Sequence, residues 1–543
     1  MIFFLFLLAL LVFHLRMGIT LLNPTQIDWL WQADWATHYL GWLFYRNEGW
    51  TFPPGIIQNY LFPEGSSIGL TDSIPLAAFF FKILRGLLPE NFQFLTLWFC
   101  MSLFLQGYFA QKLLRLFRPS VEGWKIALAS AFFVMAPPLM WRNWHIALCS
   151  HWLLLWGIYI YCRAVRRKEF SNIEFLFLAM IAATIHPYLM AMTLSIAVAS
   201  AALKASWADN FTKKLQAFFV LVLSYVGVTF FFLWLCGYFL SAGEVSYSGF
   251  GYYTFDLLGF FHPHDLPVIM PNIPRATGQY EGYAYLGLGV LIFIGVNLFH
   301  LRKRWRTTSV KDYRFLIFAG VAGLVFALSN QVHFAGQPIL DLSWFYKFLG
   351  NLPHQFRSSG RFVWPLYYMI LVWCFVSFFD LRSRKWSIFF VVISSLHFVD
   401  INRIVIYPRS VDIEFPREEL NSLILPTLQS VQLTDLILVD HSKVKDCFLA
   451  PIEFSRDPLY YPLLEFGAKH KLRVNYGVAS RHNKPLEQRL CVSLINDLEA
   501  ATLKPKTLYV FRKPVSKAFN LALEKLSCFE NTVATACSTV GQQ

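Results

Sequence analysis

NPTQIDWLWQADWATHYLGWLFYRNEGWTFPPGIIQNYLFPEGSSIGLTDS, residues 23–73, is the stretch on which the reading of the fold turns. It carries the acids Asp28, Asp34, Glu48, Glu64 and Asp72, with His38 and Arg46, among aromatics and prolines. Apolar sequence flanks it on both sides. A polar, rigid loop held at a membrane surface is a place for chemistry or for binding a lipid head group. From Asp34 to Trp50 the spacing is helical: Trp35, Tyr39, Trp42, Leu43 and Arg46 keep to one face, as in a helix lying along the interface. Residues 74–88 (IPLAAFFFKILRGLL) are apolar, but Lys82 and Arg85 interrupt them. They fall short of the roughly 20 residues that cross a bilayer. They are expected to form a second helix in or dipping into the membrane, not a span.

Outward from this loop, composition sets the class. Of 543 residues, 56% are hydrophobic, 18% aromatic and only 15% charged, against about 25% charged in a soluble domain. The expected fold is an α-helical polytopic membrane protein. A net charge of +14 would point to nucleic acid in a soluble chain. Here the basic residues fall in short clusters between apolar runs, so topology explains them and no nucleic-acid partner is expected. Ile2–Leu22 could be a signal peptide, but without a clear small-residue cleavage site it reads as an uncleaved first span with its amino terminus in the cytoplasm. Ten further apolar segments lie between Phe92 and Val399, which makes about 11 spans. With residues 74–88 outside the count, the clusters Arg115/Arg118, Arg163–Lys168, Lys204–Lys214, Arg302–Arg314 and Arg382–Lys385 all fall inside. Counting 74–88 as a span would reverse every one of them.

This topology divides the chain into a membrane domain, 1–400, whose first outside loop is 23–91, and a soluble outside domain, 401–543. Loops Ser241–Gly282 and Asn330–Gly360 also lie outside. The tail holds strand-like runs (Leu436–Val439, Leu508–Phe511) and helical runs (Arg417–Leu425, Ser516–Leu526), as an α/β domain of ordinary size does. Cys100, Cys149, Cys162, Cys236 and Cys374 sit in apolar segments as small hydrophobes. Cys447, Cys491, Cys528 and Cys537 permit two disulfides, Cys528 with Cys537 being the local choice.

The lipid-facing first loop opening with an acid, the surface helix and the proline-bounded second helix resemble the GT-C glycosyltransferases. More closely, DWATHYLGWLFYRNEGW, GSSIGLTDSIPL, GQYEGYAYLGLG and FRSSGRFVWPLYY look like a family of bacterial polytopic proteins of undefined function usually grouped with that superfamily. The resemblance covers roughly residues 1–400. It implies a GT-C-like fold, a catalytic acid in the first outside loop, and a polyprenyl-phosphate-sugar donor. The acceptor would be an unspecified glycan, lipid or protein of the cell envelope, outside the bacterial inner membrane. Better-known branches often pair two acids. Here Asp34 is followed by Trp35, which leaves a divalent metal ion open and assigns no metal ligand.

Glycosyl transfer needs a base for the acceptor proton, a cation for the leaving phosphate, and a groove for lipid. Asp34 is the candidate base; the competing reading is a helix N-cap. His38 stands one turn on and can share its face. Asp72 is a candidate substrate or metal contact, or a cap of the second helix in competition with Ser73. Asp28 reads as a solvated loop acid. Glu281 is either a site acid or a helix-start carboxylate favoured by the dipole. His262-Pro263-His264-Asp265 reads as a metal cluster or as a loop. Arg357 and Arg361, around Ser358-Ser359-Gly360, present forks suited to a donor phosphate, or else anchor to head groups. His186-Pro187 reads as a turn. A second class of function stays open, a non-enzymatic transporter or assembly protein for a lipid-linked glycan. Polar residues deep in several spans would mark it.

Overall fold

The computed structural model describes residues 2–240, 249–301, 310–406, 433–439, 459–481, 483–532 and 534–539. Arg417–Leu425 and Cys447 lie outside these. The chain divides into two compact units. One takes residues 1–24, 94–231 and 247–409; the other takes 25–93, 232–246 and 410–543.

The first unit is helical. Each apolar segment expected to span contains a helix, because uniformly apolar sequence leaves the backbone to satisfy itself. Their lengths differ. Five helices of the described residues are long and apolar enough to cross a membrane: Gly123–Trp144, Ile146–Arg167, Pro187–Ser206, Phe211–Leu235 (which runs on into the second unit) and Ser359–Phe378. This corrects the expected 11 spans. Leu95–Phe117 has 23 residues but is not apolar enough; for the others the shortfall is one of reach. Ile2–Met17, Asn172–Ala183 and Leu288–His300 are apolar but have fewer than 18 residues. At 1.5 Å per residue such helices stop short of a hydrocarbon core about 30 Å thick.

Two charged residues on these helices are paired off. Arg16, inside the first apolar helix, donates to the Ile404 carbonyl at 2.9 Å and to Asn143 Oδ1 at 2.6 Å. Asp400, fully buried, accepts from the Tyr285 hydroxyl at 2.7 Å and from the Leu288 amide at 3.1 Å.

In the second unit the helix expected from Asp34 to Trp50 runs Ala33–Asn47. The short apolar run forms a helix of only nine residues, Pro75–Ile83, about 13 Å long and too short to cross. The two cations that break its pattern turn back to the end of the first helix. Lys82 Nζ donates to the Gly49 carbonyl at 3.0 Å and lies 3.6 Å from the Tyr45 ring centroid. Arg85 donates to the carbonyls of Arg46 and Glu48. Cations at exposed helix carbonyls complement the negative end of the dipole.

The tail forms a five-stranded sheet in the order Arg473–Val474, Asp435–Val439, Thr507–Arg512, Ala534–Ser538, Ser527–Glu530. The first three strands are parallel and the last two antiparallel. The first loop continues this sheet. Tyr60 bridges Val474, whose amide donates to the Asn59 carbonyl at 2.8 Å, while the Phe62 amide donates to the Val474 carbonyl at 2.7 Å. Gly477 makes room, since a Cβ there would stand 2.4 Å from the Tyr60 ring. The Cys528–Cys537 disulfide expected from the spacing is present. Cys491 is also disulfide-bonded.

Candidate functional site

In the first unit two loops touch backbone to backbone. A Cβ on Gly360 would stand 2.8 Å from the Gly282 Cα and 2.9 Å from the Thr254 carbonyl carbon. Only glycine admits that approach. Each of the two glycines is followed or preceded by a charged residue, and the contact brings those charges together. Glu281 sits in the 3₁₀ turn Thr277–Gly282, and Arg361 in the turn Ser359–Val363. Glu281 Oε2 accepts from Arg361 Nε at 2.8 Å and Nη2 at 2.6 Å. It also accepts from Arg142 Nη1 at 2.7 Å.

Arg142 follows the short helix Pro137–Trp141 and holds the same loop a second time, through Nη2 to the Tyr280 carbonyl at 3.1 Å. The Arg361 guanidinium lies over the Tyr188 ring, 4.6 Å from its centroid. The Tyr188 hydroxyl accepts from the Ser358 amide at 2.9 Å. His186 caps the helix Pro187–Ser206, its Nδ1 taking the Tyr188 amide at 3.1 Å, and its ring meets that of His145 edge-on at 5.1 Å.

Both guanidinium side chains are 7% exposed and the carboxylate 13%. Burial alone would push the Glu281 carboxyl up. Arg142 first, then Arg361 and His145, outweigh it and hold the group at about 2. With arginine charged throughout the accessible range, the described bonds hold one carboxylate between two guanidinium groups in a low-dielectric wall. Such a triad is costly to bury and costlier to break.

The structure revises several expectations here. Glu281 is the acceptor of an ion triad, not a helix-start carboxylate. Arg361 is committed to Glu281, so it is not an open fork. Arg357, four residues earlier on the same loop, is exposed. His186 caps a helix, in keeping with a turn at His186-Pro187. His262 and His264 form a loop: the His264 amide donates to His262 Nδ1 at 3.0 Å, and His264 and Asp265 both take left-handed backbone angles. Sequence reasoning passed over Arg142 and His145. Their signal was the polar break RNWH between two apolar segments, with an arginine at the end expected to face outward.

In the second unit Asp34 lies in the first turn of Ala33–Asn47 and is exposed. The cap position falls on Gln32, which makes no side-chain cap, so Asp34 is not an N-cap. Burial, and then the Asp34 charge, push the Tyr461 hydroxyl up. His38 is 1% exposed. The loop Ser67–Ser73 folds onto its helix at Gly41, where a Cβ would fall 2.1 Å from Thr71 Oγ1 and 2.4 Å from Ser73 Oγ. Ser73 Oγ donates to the His38 carbonyl at 2.8 Å. This brings an Asp72 carboxylate oxygen within 4.8 Å of a His38 ring nitrogen. Asp72 has φ +52, and Ile74 holds the cap position of Pro75–Ile83 without a side-chain bond. Neither Asp72 nor Ser73 caps that helix. Asp28 is exposed in the turn Asp28–Leu30.

These features define a helical membrane protein with two glycine-seated polar constellations, Glu281–Arg142–Arg361 in one unit and His38–Asp72 in the other. The chain belongs to the DUF6311 family. The family's domain of unknown function matches residues 6–402, and the DUF6311 C-terminal domain matches residues 442–531. Comparison with curated proteins gives no match. All the site residues discussed lie within the first of the two matches.

Proposed function

We propose that this protein is a GT-C-type membrane glycosyltransferase. It moves a sugar from a polyprenyl-phosphate-linked donor to an envelope glycan, lipid or protein acceptor on the outer face of the inner membrane. The observation that carries the reading is the buried Arg142–Glu281–Arg361 cluster. It gathers two guanidinium groups around Glu281 in a water-poor wall at helix ends. That is the electrostatics a leaving phosphate needs. In the reaction the acceptor oxygen bonds to the anomeric carbon. The bond from that carbon to the phosphate oxygen breaks, the phosphate keeps the electron pair, and Asp34 takes the acceptor proton. The exposed carboxylate of Asp34, in the first turn of its helix, suits a base that must meet a second substrate.

The alternative is a non-enzymatic transporter or assembly protein for a lipid-linked glycan. It draws on one polar pair between helices, the fully buried His151 Nδ1 2.7 Å from the Tyr368 hydroxyl. Asp34→Asn separates the two readings. In purified, folded protein supplied with a polyprenyl-phosphate sugar and envelope acceptor, the transferase reading expects transfer to be lost. A variant that transfers label as the parent does removes Asp34 as the base, and a folded parent that transfers none removes the transferase reading.

A further inference from the structure

Between the helix Arg314–Leu328 and the turn Ser359–Val363 the chain makes a second kind of surface element. Gln331–Phe334 and Gln337–Asp341 pair as an antiparallel hairpin, turning through Ala335 and Gly336, both at positive φ. A short helix, Ser343–Lys347, follows. One side is tied down. Asp256 accepts from the Ala335 amide at 3.1 Å and the Gly336 amide at 2.8 Å. Tyr346 is buried, its ring 5.1 Å from that of Phe250.

The other side holds large apolar side chains that no described residue covers. Ile339 is 58% exposed, Leu340 54%, Trp344 63%, Phe345 47%, Phe348 82% and Leu352 68%. Successive strand residues point to opposite faces, so exposure of both Ile339 and Leu340 means that this strand projects from the unit with neither face covered. Two strands alone are marginal in water, and a contiguous apolar patch of this kind marks an interaction surface.

We infer that residues 331–352 are a paddle that inserts into the head-group and upper acyl layer of the bilayer. Three observations choose lipid as its occupant. The exposed stripe Phe318, Val321, Val325 on the helix Arg314–Leu328 leads directly into the hairpin, at helical spacing. Beyond Leu352 the chain enters Ser359–Phe378, a helix long and apolar enough to cross a membrane. Within 331–352 the charged side chains are Asp341 and Lys347 alone. Apolar and aromatic side chains with one flanking cation suit the boundary between head groups and acyl chains.

The test uses the full chain reconstituted in phosphatidylcholine–phosphatidylglycerol vesicles. Of the five free cysteines four are buried and Cys100 is half-buried, so a Phe348→Cys variant takes a bimane label selectively at the paddle. Shallow nitroxide-labelled lipids are expected to quench that label about twofold or more, with aqueous iodide excluded. The native side chain gives an independent reading. The tryptophan emission lost in Trp344→Phe should be the part that brominated lipids quench. Free access to iodide with no quenching by lipid overturns the inference. So does protection that appears only when two copies crosslink through residue 348.

Discussion

Arg361 grips Glu281 side-on, with Nε at 2.8 Å and Nη2 at 2.6 Å from one carboxylate oxygen, across two loops whose backbones meet at Gly282 and Gly360. The pair is 80 residues apart in sequence, and Arg142 reaches the same oxygen from 139 residues away. Charge, backbone conformation and long-range packing are therefore one feature.

The carboxyl of Glu281 is held at about 2 against an ordinary 4.5. A depressed acid stabilises the fold fully above its unfolded value and loses that contribution as pH falls through the folded one. Its share, about 3 kcal/mol by linkage, should be intact above pH 4.5 and decline from there towards pH 2. Thermal unfolding of the wild type and of Glu281→Gln across this range checks it. The variant should be less stable at neutral pH by about 3–5 kcal/mol, because two guanidinium groups lose their counter-charge, and it should lack this acid dependence.

Gly360→Ala places a Cβ against backbone that has no side chain to move aside. A loss of about 1–3 kcal/mol is expected from the forced separation of the loops. Gly227→Ala is the control, since nothing lies within 4 Å of a Cβ there. Equal melting temperatures for the two variants would remove the argument from close approach.

Asp34→Asn is expected to leave the unfolding free energy within about 0.5 kcal/mol of wild type, as exposed substitutions do. The same change should lower sugar transfer by about 10²–10⁴-fold if Asp34 is the base. Transfer kinetics beside a thermal melt separate a chemical loss from a folding loss.

Gly41→Ala acts at the other constellation. Its Cβ would displace the Thr71 and Ser73 hydroxyls, which are 2.8 Å from each other and buried. The loop carrying Asp72 should move off the helix carrying His38. The expected cost is about 1–3 kcal/mol, with faster hydrogen exchange at the Ser73 amide as the local readout.

Much of the architecture is legible locally. The long apolar runs of the first unit become helices. Residues 74–88 form no span, because Lys82 and Arg85 must reach the carbonyls of residues 46, 48 and 49. The strand runs at 436–439 and 508–511 are strands, and the nearest cysteine pair is the disulfide. Span number was less legible, since hydropathy reports apolar content and not where a helix ends. The caps were misplaced by one or two residues: Gln32 and not Asp34, Ile74 and not Asp72 or Ser73.

By itself, then, the sequence determined that this protein is a helical membrane chain with polar loops, because hydrophobicity and periodicity are properties of neighbouring residues. It also named Glu281, Arg361, His38 and Asp72 as candidate site residues. Only the tertiary structure decided which charge meets which. Glu281 goes to Arg361 and Arg142, and Asp72 comes within 4.8 Å of His38, because Gly282, Gly360 and Gly41 let backbones and loops approach more closely than any side chain would allow.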